Sequence, residues 1–268
     1  MCGIVGYVGG REAADILIGG LSRLEYRGYD SAGVAIQNGR GIVTRKVVGR
    51  VAGLETLVQE QPVHGASGIG HTRWATHGVP NQTNAHPHTD CTGTIALVHN
   101  GIIENSDTLR RLLKESGHTF RTDTDTEVVA HLIEASREPT LESRVAEALR
   151  WVEGTYGLAV MSSAEPGKLV VARKGSPVLI GLGDGEFYVA SDPSAVLEHT
   201  RSVVYLDDGD VAVLTEDGYR IMDAELRTRV RSVNDLDWSP DAIERGGYPH
   251  FMLKEIFEQP ATIRNTMR

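Results

Sequence analysis

The chain opens Met1-Cys2-Gly3-Ile4-Val5-Gly6, and this start is the tightest constraint in the sequence. Gly3–Val8 is an apolar run that stops at Gly9-Gly10, the pattern of a short buried strand. Removal of Met1 would leave Cys2 with a thiol and a free α-amine on one residue. An α-amine has a pKa of about 7.7–8.0 and a thiol about 8.5, so the amine can serve as base near neutral pH. The thiolate is the attacking species, and a base within reach generates it on demand. The other reading of Cys2 is a small buried hydrophobe at the head of a strand.

At 268 residues the chain can form one large domain or two small ones. A net charge of -9 without a basic stripe argues against nucleic acid as a partner. Cys2 and Cys91 are the two cysteines, which indicates no disulfide framework and a reducing compartment. The N-terminus lacks the basic and long apolar regions of a signal peptide. No apolar run approaches the ~20 residues of a membrane span. A soluble cytoplasmic protein is expected.

Helical spacing of Ile16, Leu17, Leu21 and Leu24 predicts a helix over Ala13–Leu24. Val34–Gln37 and Gly41–Val48 read as strands of a hairpin through Asn38-Gly39. A helix over 51–59, strands over Ser67–Thr72 and Thr94–His99, and a helix over 108–114 follow. Thr124 and Glu127 form a capping-box pattern opening a further helix. Another helix runs from about Leu141 to Val152. Beyond Gly157 strands dominate: 158–161, 169–172, 178–181, Phe187–Ala190, 203–206 and 211–214, interrupted by a short helix over Ser194–His199. Gly181–Gly185 reads as a hairpin turn rather than a phosphate loop, because no helix follows it. Strands, then helices, then strands define an α+β layout, and two sheets faced by helices would fit it. The tail from Val230 is polar, carries Pro240, Pro249 and Pro260, and reads as a linker ending in an uncapped helix, as if continuing into something longer.

Three stretches besides Cys2 carry candidate chemistry. Arg73, where the Gly70–Gly78 stretch runs off the end of a strand, can clamp a small carboxylate bidentately, or else form a surface ion pair. His99-Asn100-Gly101 is either a turn or an oxyanion hole, in which the Asn100 amide and the Gly101 N–H point at one spot. Asp123-Thr124-Asp125 is either a helix cap or a carboxylate site for an ammonium group. His64, His71, His77, His86, His88 and His99 crowd one region, but none has the i, i+4 spacing of a zinc pair and no Cys-x-x-Cys accompanies them. Metal binding is not expected, and Cys91 is assigned no role.

Taken together, Met1–Gly6, Leu24–Gly33, His71–Gly78, Asn84–His88 and His99–Asn105 resemble, in order and spacing, the glutaminase domain of the class II glutamine amidotransferases, of the glutamine–fructose-6-phosphate aminotransferase (isomerizing) type. The tail Tyr248–Pro260 resembles the segment entering that family's sugar-isomerase domains. The resemblance implies an N-terminal nucleophile hydrolase with a four-layer αββα sandwich over 1–229. It implies a linker over 230–268 leading to sugar-isomerase domains absent from this chain. It implies Cys2 as nucleophile, Asn100 and Gly101 as oxyanion hole, and Arg73, Thr76, His77 and Asp125 as binding residues for L-glutamine. Trp74 would gate the passage of ammonia. It implies no metal and no cofactor, and a homodimer for the full-length enzyme. The glutaminase domains of amidophosphoribosyltransferase and asparagine synthetase, and a non-catalytic metal- or ligand-binding module, are the alternatives.

Overall fold

The computed structural model describes residues 2–75, 78–237 and 247–266. It divides into two compact units, Met1–Asp235 and Leu236–Arg268. Among the described residues of the second unit, a helix introduced below as α6 covers Phe251–Thr266 and contains Pro260.

The first unit begins with β1 (Gly3–Val8), α1 (Ala13–Leu24), β2 (Ser31–Asn38), β3 (Gly41–Val48), α2 (Val51–Glu60) and β4 (Ser67–Arg73). The middle of the chain supplies β5 (His88–Thr89), β6 (Ile95–Ile103), α3 (Ser106–Glu115), α4 (Glu127–Ala135) and α5 (Leu141–Leu149). Strands β7 (Gly154–Ser162), β8 (Leu169–Lys174), β9 (Leu179–Leu182) and β10 (Phe187–Ala190) follow. The unit closes with β11 (Ser202–Tyr205), β12 (Val211–Thr215), β13 (Gly218–Met222), β14 (Thr228–Arg229) and β15 (Val233–Asp235). The helix of the second unit is α6.

Two antiparallel sheets result, ordered β15-β11-β9-β10-β1-β4-β2-β3 and β14-β13-β12-β8-β7-β6-β5. Helices α1 and α2 cover the first sheet, and α4 and α5 cover the second. The sheets face each other through β1 and β4 on one side and β6, β7 and β8 on the other. The fold is therefore the αββα sandwich of the N-terminal nucleophile hydrolases.

Alternation along each strand of the second sheet explains the layering. Ile95 and Leu97 of β6, Leu158 and Val160 of β7, and Val170 and Ala172 of β8 face the helices. Their neighbours Ala96, Val98, Ala159, Met161, Leu169 and Val171 face the first sheet. Both faces are dry, so these strands read as continuous apolar runs rather than alternating ones. Alanines recur in the intersheet layer, at Ala35, Ala96, Ala159 and Ala212.

Three expectations about local structure need correction. Thr124 and Glu127 do not form a capping box: Thr126 occupies the N-cap position and its side chain makes no cap hydrogen bond. The Glu127 carboxylate instead accepts the backbone N–H groups of Arg121 and Thr122, each at 2.8 Å. A true capping box opens α5, where Thr140 and Ser143 bond reciprocally. The helix expected over Ser194–His199 is a single 3-10 turn, Pro193–Ala195, started by the Asp192 cap with Pro193 at its first position. Val233–Asp235, within the tail, pairs with β11 and forms the edge of the first sheet.

Leu97 is fully buried between the second sheet and its helices. Leu97→Ala is expected to cost about 2–5 kcal/mol, the range for a truncated core leucine. Urea unfolding of the variant checks this; a loss below about 1 kcal/mol would mean that the layer collapses around the gap.

Candidate active site

The register of β1 on β4 pairs Gly3 with Thr72 and Ile4 with His71. Side chains alternate along a strand, so Cys2 shares the face of Ile4 and looks into the space between the sheets. There Cys2 Sγ accepts the Trp74 N–H at 3.2 Å, while its own hydrogen faces the Trp74 carbonyl at 3.5 Å. The sulfur is thus held by the backbone of a single residue just past the end of β4. Burial pushes the Cys2 thiol pKa up, and the Trp74 N–H and the Arg73 guanidinium act in the opposite sense.

The loop that holds the sulfur is itself braced by the segment after α1. Asp30 Oδ2 accepts the Ala75 N–H at 2.7 Å, and the Asp30 N–H donates to the Arg73 carbonyl at 3.0 Å. Gly28 lies so close that a Cβ there would stand 2.7 Å from the Arg73 carbonyl carbon. In sequence Arg27–Gly33 reads as a polar turn, and the only local sign of this bracing is an aspartate two residues past a glycine, ahead of a strand.

Asn100 reaches Cys2 from the other sheet. Its Nδ2 donates to the Cys2 carbonyl at 3.1 Å. The amide orientation follows from His71, whose Nε2 lies 3.1 Å from both the His99 carbonyl and Asn100 Oδ1. A carbonyl only accepts, so His71 Nε2 carries the hydrogen and the Asn100 atom facing it is oxygen. One Nδ2 hydrogen is used on Cys2, which leaves the other to point into the site. Gly101 adopts φ +133, and a Cβ there would stand 2.1 Å from the Thr155 carbonyl oxygen. Only glycine fits.

Asp125 is buried, and its Oδ2 accepts the Ile103 N–H at 2.8 Å. Arg73 is also buried, with Nη2 donating to the Gly78 carbonyl at 3.1 Å. Burial lowers the Arg73 pKa, while Cys2, Asp30 and Asp125 raise it. Cys2, Arg73, Trp74, Asn100, Gly101 and Asp125 all line one cavity of about 330 Å³. Trp74 is 46% exposed and packs edge-on against Tyr29, ring centroids 5.5 Å apart. Thr76 and His77 lie outside the described residues.

Four of the crowded histidines form a buried stack behind this cavity. His71 and His86 stack at 4.1 Å, and His86 meets His88 edge-on at 4.3 Å. His99 Nε2 donates to the Thr155 carbonyl at 3.3 Å, so its Nδ1 accepts from Thr126 Oγ1 at 2.9 Å. That leaves Thr126 Oγ1 to accept from His86 Nε2 at 3.2 Å. His88 Nε2 lies 3.1 Å from Thr124 Oγ1. The histidines therefore seat Thr124 and Thr126, the residues flanking Asp125. Burial lowers the pKa of all four, His71 to about 3, so the stack is neutral.

A thiol at position 2, an amide donor from the facing sheet, and an arginine and an aspartate of opposite charge thus line one cavity within the fold of an N-terminal nucleophile hydrolase. The chain carries a glutamine amidotransferase domain of class II. A family model described as a glutamine amidotransferase domain matches residues 71–198. Among curated relatives, the glutamine–fructose-6-phosphate aminotransferase (isomerizing) of Chlorobaculum tepidum is 54% identical over 275 residues, covering 100% of this chain and 45% of that protein. Its counterpart from Thermococcus kodakarensis is 49% identical over 270 residues with the same coverage, 100% and 45%. The chain thus spans under half the length of these relatives. A solved glutamine phosphoribosylpyrophosphate amidotransferase from B. subtilis, complexed with ADP and GMP, superposes with a TM-score of 0.73 at 29% identity, over 85% of this chain and 50% of that one. A class-II domain protein from Silicibacter pomeroyi shares the fold, with a TM-score of 0.56 at 18% identity over 83% of this chain and 99% of that one.

The neutral histidines make stability depend on pH with a definite sign. His71 titrates at about 3 when folded against an ordinary 6.5, so between those values the unfolded chain binds the extra proton. Stability carries no such penalty above about 6.5 and falls as pH drops below it, by about 1.4 kcal/mol per pH unit for one histidine. Urea midpoints at about pH 7.5 and about pH 5.5 test this. A flat profile over that interval, which lies above the carboxylate range, would contradict the neutral stack.

Proposed function

We propose that the chain hydrolyses the side-chain amide of L-glutamine, with Cys2 as nucleophile. The Cys2 thiolate attacks the amide carbon, and the oxyanion forms where the second Nδ2 hydrogen of Asn100 and the Gly101 N–H converge. Once Met1 is removed, the Cys2 amine takes the thiol proton and passes it to the departing ammonia. Water then cleaves the γ-glutamyl thioester to glutamate and restores the thiol. The observation that carries this reading is the placing of Cys2 Sγ and the Asn100 amide on facing sheets of one cavity. Arg73 and Asp125, opposite charges on that cavity's wall, suit the α-carboxylate and α-ammonium of a free amino acid.

The names of the relatives support a nitrogen acceptor: fructose 6-phosphate, bound on sugar-isomerase domains that residues 230–268 would join to this half. In that assembly Trp74, beside the sulfur, would gate ammonia between the halves, and the full-length enzyme would pair as a homodimer. A cytoplasmic setting fits this metabolism. Among the described residues, no helix is long and apolar enough to cross a membrane. The structural neighbour that acts with phosphoribosylpyrophosphate offers a second acceptor, but its 29% identity is weaker support than the 54% of the sugar-phosphate relative.

Steady-state kinetics separates chemistry from binding. Asn100→Ala is expected to lower kcat about 10²- to 10³-fold, as for loss of one oxyanion donor. Arg73→Ala and Asp125→Asn meet groups that do not change during reaction and should act mainly through KM. Cys2→Ala should be inactive while still binding glutamine. An Asn100→Ala enzyme with raised KM and unchanged kcat would remove the oxyanion assignment.

Processing gives an independent check. A preparation shown by intact mass spectrometry to retain Met1 has an amide in place of the basic amine, and should turn over glutamine orders of magnitude more slowly. Normal turnover from such a preparation would exclude the amine as base.

A further inference from the structure

Cys91, His118, His131 and Glu134 lie away from the cavity just described, and each offers one ligand atom, all within 4.8 Å of one another. Cys91 sits on the loop between β5 and β6, His118 on the segment between α3 and α4, and His131 and Glu134 one turn apart on α4. Cys91 Sγ is 3.7 Å from His118 Nδ1 and 3.5 Å from His131 Nδ1. Glu134 Oε2 is 2.9 Å from His118 Nδ1 and 3.1 Å from His131 Nδ1. A tetrahedral zinc with bonds of about 2.3 Å to sulfur and about 2.0–2.1 Å to nitrogen and oxygen has edges of roughly 3.3–3.6 Å. The sulfur edges already match, and the shorter oxygen edges are those a shared proton would hold.

Hydrogen bonding alone accounts poorly for this cluster. The Cys91 N–H also donates to Glu134 Oε2, at 3.2 Å, so three nitrogens converge on one oxygen with two lone pairs. The surroundings suit a metal. The Thr119 N–H points at Cys91 Sγ at 3.4 Å, which stabilises a thiolate. Behind fully buried His131, its other nitrogen Nε2 faces Glu127 Oε1 at 3.6 Å, the carboxylate–histidine arrangement that orients metal-bound imidazoles. Phe120 packs on the His131 ring at 4.4 Å and shields one side.

We propose that Cys91, His118, His131 and Glu134 form a structural zinc(II) site. All four positions are filled by protein, so the ion has no open place for chemistry. It ties the β5–β6 loop to both flanks of the segment 119–130, which includes Asp125. Zinc there would therefore brace the segment that carries the Asp125 carboxylate. The proposal is independent of the glutaminase reading, because metal binding is measured without turnover.

The test begins with this chain purified without a metal-affinity step, its zinc measured by plasma mass spectrometry. About one zinc per chain is expected, retained through gel filtration. The chelator-stripped protein should bind cobalt(II) with the thiolate charge-transfer and tetrahedral ligand-field bands of a sulfur-ligated site. Cys91→Ala should lose the charge-transfer band, and Cys91→Ala and Glu134→Gln should each weaken zinc binding more than about 10-fold. The parent protein's cobalt spectrum stands even if a variant folds poorly. Less than about one tenth of an equivalent of zinc bound from micromolar solution would overturn the proposal, leaving a hydrogen-bonded cluster only. Zinc affinity and cobalt spectrum unchanged in Cys91→Ala would do the same.

Discussion

The antiparallel register of β1 on β4 governs the whole site. Gly3 opposite Thr72 puts Cys2 next to Arg73 and brings its sulfur onto the Trp74 peptide. Side chains alternate with a period of two, so a slip of one residue would turn Cys2 toward the helices and Gly3 toward the cavity. The register is secured by burial on both faces of β1, where Ile4 and Val8 pack between the sheets. It is also secured from outside, by Asp30 on the Ala75 N–H and by Gly28 against the Arg73 backbone. Placement of the sulfur is thus a property of strand pairing, reinforced by a loop braced from outside.

Polarity within the site is arranged by keeping neutral what could have been charged. His71, His86, His88 and His99 are buried, and burial holds them unprotonated, outweighing the opposite pull of Asp125 on His99. Among the described residues, the charged side chains that line the cavity are Arg27, already paired with Asp192, and Arg73 and Asp125, which differ in sign. Neutral imidazoles also settle hydrogen-bond directions: an Nε2–H on His71 fixes the Asn100 amide, and an Nε2–H on His99 fixes the Thr126 hydroxyl. Residues that a metal hypothesis would have recruited serve as donors and acceptors of known sense.

Much of this was legible in the sequence, and the exceptions have physical causes. Gly3–Val8, Ala13–Leu24, Gly41–Val48 and Phe187–Ala190 have the observed bounds, since each is a clean apolar period between glycine or polar breaks. Strands β14 and β15 went unseen because exposed edge positions such as Val233 carry little apolar pattern. Thr124 and Glu127 matched a capping box, yet His88 takes the Thr124 hydroxyl and the 121–122 backbone takes the Glu127 carboxylate. Tertiary partners outcompeted the local ones. Cys2, Arg73, Trp74, Asn100, Gly101 and Asp125 were singled out as residues, but their common cavity is a fact of the two-sheet geometry. Cys91 was passed over because its neighbours come from three separate segments; the one local hint was His131 and Glu134, three apart on α4.

The alanines between the sheets give the molecule a built-in calliper. Cys2 and Arg73 belong to one sheet, and Asn100 and Gly101 to the other, so the gap between them is the thickness of the layer that holds Ala35, Ala96, Ala159 and Ala212. Enlarging any of these side chains would wedge the sheets apart by a fraction of an ångström while each sheet kept its own hydrogen bonds. The sulfur and the amide that faces it would then part company in a protein that still melts cooperatively. Such positions, remote from every reacting atom, would register in a mutational survey as sites of lost function without lost fold.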